Sequence, residues 1–145
     1  MNRLKKIKEL KELAEKYDLE NIAILRRYSM AQLCKYYNGI GPDAFPEWLR
    51  EKVTELHPSL EPAALIHDLE WTESDGSEEK FQASNERLER NGALLAKAIF
   101  PWYHYRRYLV MYQAKRFAQL CGLFGFAGWQ ELASGKGEGQ DDSAR

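Results

Sequence analysis

LEPAALIHDLEWTESDGSEEKFQASNERLERNGALLAKAIF, residues 60–100, decides the fold. Its opening reads as a helix from Leu60 to about Trp71. Pro62 falls in the first turn, where its missing N–H interrupts no helical bond. Residues 72–78 (TESDGSE) are polar and contain a glycine, so they form a loop. Ser77 stands where a helix cap is expected, and Phe81, Leu88, Leu95 and Ile99 supply the apolar face of a long helix reaching about Phe100. Two helices joined by so short a loop lie antiparallel.

Working outward, the N-terminal segment from Asn2 to Tyr17 places Leu4, Ile7, Leu10, Leu13, Ala14 and Tyr17 on one narrow stripe, with Lys and Glu on the other faces. The stripe predicts a helix docked on its own domain; the other reading is a partner-binding arm. Asp18 is placed to cap a second helix, Leu19 to about Tyr28, with Ile22 and Leu25 inward. Ser29 caps a third, on which Met30, Leu33, Cys34 and Tyr37 share a face up to Asn38-Gly39. Residues 38–48 (NGIGPDAFPEW) carry two glycines and two prolines and are turn chemistry. A short helix follows over Trp48–His57. Beyond Pro101 a second long helix, Trp102 to Leu120, is rich in aromatic residues and ends in the glycine-rich CGLFGFAGW, 121–129. No strand and no repeat is legible. The expectation is an all-α, single-domain helical bundle over 1–132, comprising N-terminal helices (1–28), a core (29–100) and an aromatic C-terminal helix (101–132), with a disordered tail at 133–145.

The chain has 145 residues and a formal net charge of -1. Length favours one domain, and the charge balance speaks against a dedicated nucleic-acid binder. Two cysteines, Cys34 and Cys121, cannot build a multi-disulfide framework, and buried thiols in a reducing compartment are expected. The N-terminus lacks the apolar run of a signal peptide, and no stretch has transmembrane length. These features point to a cytoplasmic protein, or to one released by another route.

Three separated features bear on chemistry. In Tyr37-Asn38-Gly39-Ile40-Gly41-Pro42, glycines let carbonyl oxygens converge, and such oxygens suit calcium. Alone, the same residues are an ordinary helix end. His67 and Asp68 point about 100° apart on a helix, so one can handle a proton while the other holds a metal. Asn85 lies on the next, antiparallel helix, where it faces His67 and fixes the ring through Nδ1–H.

In this order, the pattern resembles the phospholipase A2 superfamily. Tyr37, Gly39 and Gly41 match its Tyr-x-Gly-x-Gly calcium loop. His67 and Asp68 match its His-Asp-x-x-Tyr helix, with Trp71 in place of the tyrosine. Asn85-Glu86-Arg87-Leu88 stands where an Asp orients the histidine. The Asn-Gly-x-Gly-Pro and Ile-His-Asp combination also resembles small phage and prophage proteins. The resemblance spans roughly residues 34–92 and implies a two-helix core with a glycine-rich loop. It further implies a calcium-dependent phospholipid ester hydrolase. His67 would act as base and Asn85 as its orienting residue. Asp68 and the Tyr37, Gly39 and Gly41 carbonyls would hold Ca2+, with a phospholipid or membrane surface as partner. Replacement of the orienting acid by Asn85 favours an alternative. That alternative is a non-catalytic phage or prophage structural or interaction protein that keeps the helical frame, with the N-terminal helix as a protein-binding surface.

The segment WYHYRRYLVMYQAKR, 102–116, interleaves bases and aromatics. Its spacing favours core packing for Leu109, Tyr112, Phe117 and Leu120, with solvated arginines. The competing reading sets Trp102, Tyr103 and Tyr105 at a lipid interface beside Arg106, Arg107, Lys115 and Arg116. His57 and His104 have no partners at zinc-ligand spacing.

Overall fold

The computed structural model describes residues 2–40 and 46–143, with side chains described up to residue 135. In order, it contains α1 (Arg3–Lys16), a 3-10 turn (Ile22–Arg27), α2 (Met30–Tyr36), α3 (Glu47–Leu56) and a second 3-10 turn (Pro58–Leu60). These are followed by α4 (Glu61–Thr72), α5 (Glu78–Ile99), α6 (Tyr105–Phe124) and α7 (Phe126–Ser143). Among the described residues there is no strand, so the fold is all-α.

Helix α4 is the centre. Only Asp68 and Thr72 among its residues escape burial. A helix buried nearly all round must be surrounded, although Glu61, His67 and Glu70 are among its buried residues, and α1, α2, α5 and α7 all pack against it. The α1 stripe is narrower than its sequence suggests. Ile7, Leu10 and Ala14 are buried, whereas Leu4 and Leu13 face outward.

The second helix expected from Asp18 is corrected to a 3-10 turn. Asp18 and Asn21 both adopt left-handed backbone, with φ of 48° and 64°, and this delays any helical run until Ile22. Asp18 therefore caps nothing. The connection is pinned by Asn91 of α5, which is 1% exposed. Its Oδ1 accepts the Glu20 N–H at 2.7 Å and its Nδ2 donates to the Glu20 carbonyl at 3.1 Å. Ser29 caps α2 in a reciprocal capping box with Gln32, and Ser77 caps α5.

Among the described residues helices α5 and α6 make the most extensive pairing. A Cβ built on Gly92 would stand 2.4 Å from the Ala114 Cβ. So close a crossing admits only small residues, and α6 buries Val110, Ala114, Ala118 and Cys121. This overturns half of the expected core face: Leu109 and Tyr112 are exposed, while Phe117 and Leu120 are half-buried. A second cluster of Trp71, Phe81 and Trp129, with Phe126 against it, fastens α7. There the Ser74 hydroxyl donates to the Trp129 carbonyl at 2.7 Å, and the Trp129 indole N–H donates to the Ser77 carbonyl at 2.9 Å. Helix α7 continues to Ser143, past residue 133, where composition predicts disorder to begin. Cys34 is half-buried and Cys121 buried, and no disulfide joins them. No helix among the described residues is long and apolar enough to cross a membrane.

Candidate functional site

Gly39, His67 and Asp68 line one pocket of about 370 Å³ measured to its open mouth. Its other walls are Leu60, Ala64 and Leu88, with Ala114, Phe117 and Cys121 from α6. It is a narrow slot whose interior holds about one water molecule.

The loop reaches this slot through specific contacts. Gly39 has φ +92°, and a Cβ there would stand 2.6 Å from the Thr54 Oγ1. Only glycine satisfies both the backbone and the space. Thr54, on α3, accepts the Ile40 N–H at 2.9 Å and donates to the Arg50 carbonyl at 2.7 Å. The Asp68 Oδ2 accepts the Asn38 N–H at 2.7 Å and so ties α4 to the loop. Tyr37 is buried, its hydroxyl donating at 2.8 Å to Glu61, which also pairs with Lys6 at 2.8 Å. Burial first, then the neighbouring Glu61 and Asp68 charges, push the Tyr37 phenol far above its ordinary value.

His67 is sealed more tightly than a solvent-facing base. Burial pulls its pKa down to about 4. The ring is therefore neutral at physiological pH and a weaker base than one poised near neutrality. Asn85 meets the ring, but at Nε2 (2.9 Å from its side-chain amide, Oδ1 as placed) and not at Nδ1 as the sequence suggests. The reason is helical register: α5 passes on the Nε2 side of the ring. Trp71, one turn along α4, directs its indole N–H at the same Nε2 at 3.2 Å. An indole N–H can only donate. Nε2 is then the acceptor, the ring proton sits on Nδ1, and the Asn85 amide turns to present its NH2. The opposite tautomer would leave a buried indole N–H without a partner. Among the described residues Nδ1 has no hydrogen-bond partner, and the ring lines the slot.

Two of the residues expected to form a calcium shell make other contacts here. Arg3 donates to the Tyr37 carbonyl at 2.6 Å and to the Cys34 carbonyl at 2.5 Å. A guanidinium therefore occupies the first expected carbonyl ligand and completes the C-terminus of α2. One oxygen of Asp68 is engaged by Asn38, and Gly41 lies outside the described residues. Among the described residues no cluster of three or more His, Cys, Asp or Glu side chains is placed to hold a metal.

The structure brings Gly39, His67 and Asp68 to one slot and sets Asn85 against the ring at Nε2 rather than Nδ1. Sequence reasoning missed Arg3, Thr54 and the ring-binding role of Trp71. Only the last had a signal, the four-residue spacing from His67. No family model matches the chain, and neither does any curated protein or any solved structure.

Proposed function

We propose that the chain is a phospholipid-binding protein on a phospholipase A2-like frame, holding part of an acyl chain in the slot with its polar end at His67 and Asp68. The single observation that carries this reading is the convergence of the Gly39 loop, His67 and Asp68 on one otherwise apolar slot. Apolar pockets with a few convergent polar groups are the common form of small-molecule sites. With its proton on Nδ1, His67 offers a donor to a phosphate or ester oxygen, not a base to a water. The slot is narrow, so entry of a chain requires the half-buried Leu88 and Phe117 to turn aside.

The second reading is calcium-dependent ester hydrolysis by His67, of phage or prophage type. It is favoured by the same convergence of the Gly39 loop, His67 and Asp68 on one slot. It is opposed by the low basicity of the ring, the neutral Asn85 and the guanidinium on Tyr37.

One experiment separates the two readings. A monomeric short-chain phosphatidylcholine is added to wild type, to Leu88→Trp and to His67→Ala, while thermal stability and fatty-acid release are measured with and without calcium. The expected result is a rise in Tm for wild type, equivalent to about 2.7 kcal/mol at a hundred times Kd. The rise should be lost in Leu88→Trp, and no acid should be released. Calcium-dependent release abolished by His67→Ala would establish the hydrolase. No rise in Tm and no release would remove both.

A further inference from the structure

Helix α6 carries a second surface unrelated to the slot. Opposite its buried seam of Val110, Ala114 and Ala118, the helix exposes Tyr105, Leu109, Tyr112, Arg116 and Leu123 on one face. These positions recur at helical spacing and so form a continuous strip. Trp102 and Tyr103, each 72% exposed, extend it at the N-terminal end, and Phe124 at the other. Large apolar side chains held in water over a whole helix length mark an interaction surface.

Along α6 itself the charge is basic, while Glu78 and Glu86 of α5 lie beside Gly122 near the C-terminal end of the strip. Residues 101–130 contain Arg106, Arg107, Lys115 and Arg116 and no Asp or Glu, in a chain with 22 acidic residues. Among the described residues no carboxylate pairs with Arg106, Lys115 or Arg116. The cations thus remain available to a negative partner.

We infer that the exposed face of α6 docks on an anionic phospholipid bilayer. Tyrosine and tryptophan rings sit at the headgroup level, where one end is apolar and the other wet. Leu109, Leu123 and Phe124 enter the acyl boundary, and the bases meet anionic headgroups. The other occupants fit less well. Aliphatic leucines offer no stacking plane to nucleic-acid bases, and a second copy laid on the same strip would bring like charges together. The docking face shares a lipid partner with the proposed function but uses none of the slot residues.

The test is vesicle flotation of the full chain, comparing phosphatidylcholine with phosphatidylcholine containing about one-third phosphatidylglycerol. Binding is expected only to the anionic vesicles, falling as salt rises. Removing two cations with Arg106→Gln and Arg116→Gln should weaken it roughly 25-fold. Tyr112→Ser with Leu123→Ser should weaken it as well, while circular dichroism confirms that the surface variants stay folded. A blue shift of fluorescence on binding should be reduced in Trp102→Phe. Monomeric short-chain phosphatidylcholine should raise Tm equally in wild type and in the variant carrying Arg106→Gln and Arg116→Gln, so a failure of the slot and a failure of the strip are read separately. Equal binding to both vesicles, no binding, or charge variants that bind undiminished would overturn the inference. So would association into dimers through this strip, or preference for single-stranded DNA over vesicles.

Discussion

His67 is held neutral inside the fold, and that has a cost as pH falls. Unfolded, the ring has a pKa near 6.5; folded, burial lowers it to about 4. Below about pH 6.5 the unfolded chain takes up a proton that the folded one does not. Stability is thus intact above that pH and drains away toward pH 4, by at most about 3 kcal/mol. Glu70 works against this trend. Burial raises its pKa to about 7 despite the Arg87 guanidinium 2.6 Å away, so its contribution is lost as pH rises from 4.5 to 7. Comparing urea unfolding of wild type and His67→Gln across pH 4–7 isolates the histidine, because Glu70 is common to both. The variant should gain relative stability as pH falls, and parallel curves would show that the ring is not buried. Nitrogen NMR reads the tautomer directly. Wild type should carry the proton on Nδ1, and Trp71→Phe, lacking the competing donor, should move it to Nε2 facing the Asn85 oxygen. An unchanged tautomer would exclude the indole as its determinant.

At the scale of elements, the α5–α6 crossing explains which faces were legible. Phe81 and Leu95 of α5 read correctly as core, because that helix packs against α4 by ordinary burial. Half of the α6 face did not, because size misled. Tyr112 and Leu109 are larger than Ala114 and Ala118, yet Gly92 draws the two helices so close that bulk is excluded from the seam. The signal lay in small residues at four-residue spacing. Gly92→Ala should therefore destabilise by about 1–3 kcal/mol through overpacking. Ala114→Gly should restore part of that loss in the double variant, net of about 1 kcal/mol for glycine in a helix. Additive losses would mean the crossing is looser than described. The loop behaves differently. Gly39→Ala meets the Thr54 Oγ1 and also strains a left-handed backbone, so Thr54→Ala, which removes that oxygen, should still fail to rescue it in thermal unfolding.

For the whole molecule, the convergence of the loop and α4 was suggested only by the order of the two motifs, because α3 and a 3-10 turn separate α2 from α4. The Arg3 guanidinium on Tyr37 was not legible, since it joins residues 34 apart through the packing of α1 on α2. The left-handed Asp18 and Asn21 were equally hidden, because both residue types also cap helices. With a guanidinium at the Tyr37 carbonyl, millimolar calcium should leave the thermal midpoint of wild type unchanged. An upward shift abolished by Asp68→Asn would show that the metal displaces Arg3 and would revive the hydrolase.

The Asn91 clamp on Glu20 has a consequence for how the protein ages. Asn91 precedes Gly92, a dipeptide in which the asparagine amide is readily attacked by the next backbone nitrogen and lost as ammonia. Inside α5 that nitrogen is held in the helical ladder, and the amide is engaged at both ends by Glu20. Folding thus shields a labile bond. Each unfolding exposes it, and the aspartate that results would set a carboxylate against the Glu20 carbonyl in a site that is 1% exposed. A chain so altered would no longer close the turn after α1. Repeated heating should therefore leave a chemical record at residue 91, readable by peptide mass mapping, whose growth tracks the time each molecule has spent unfolded.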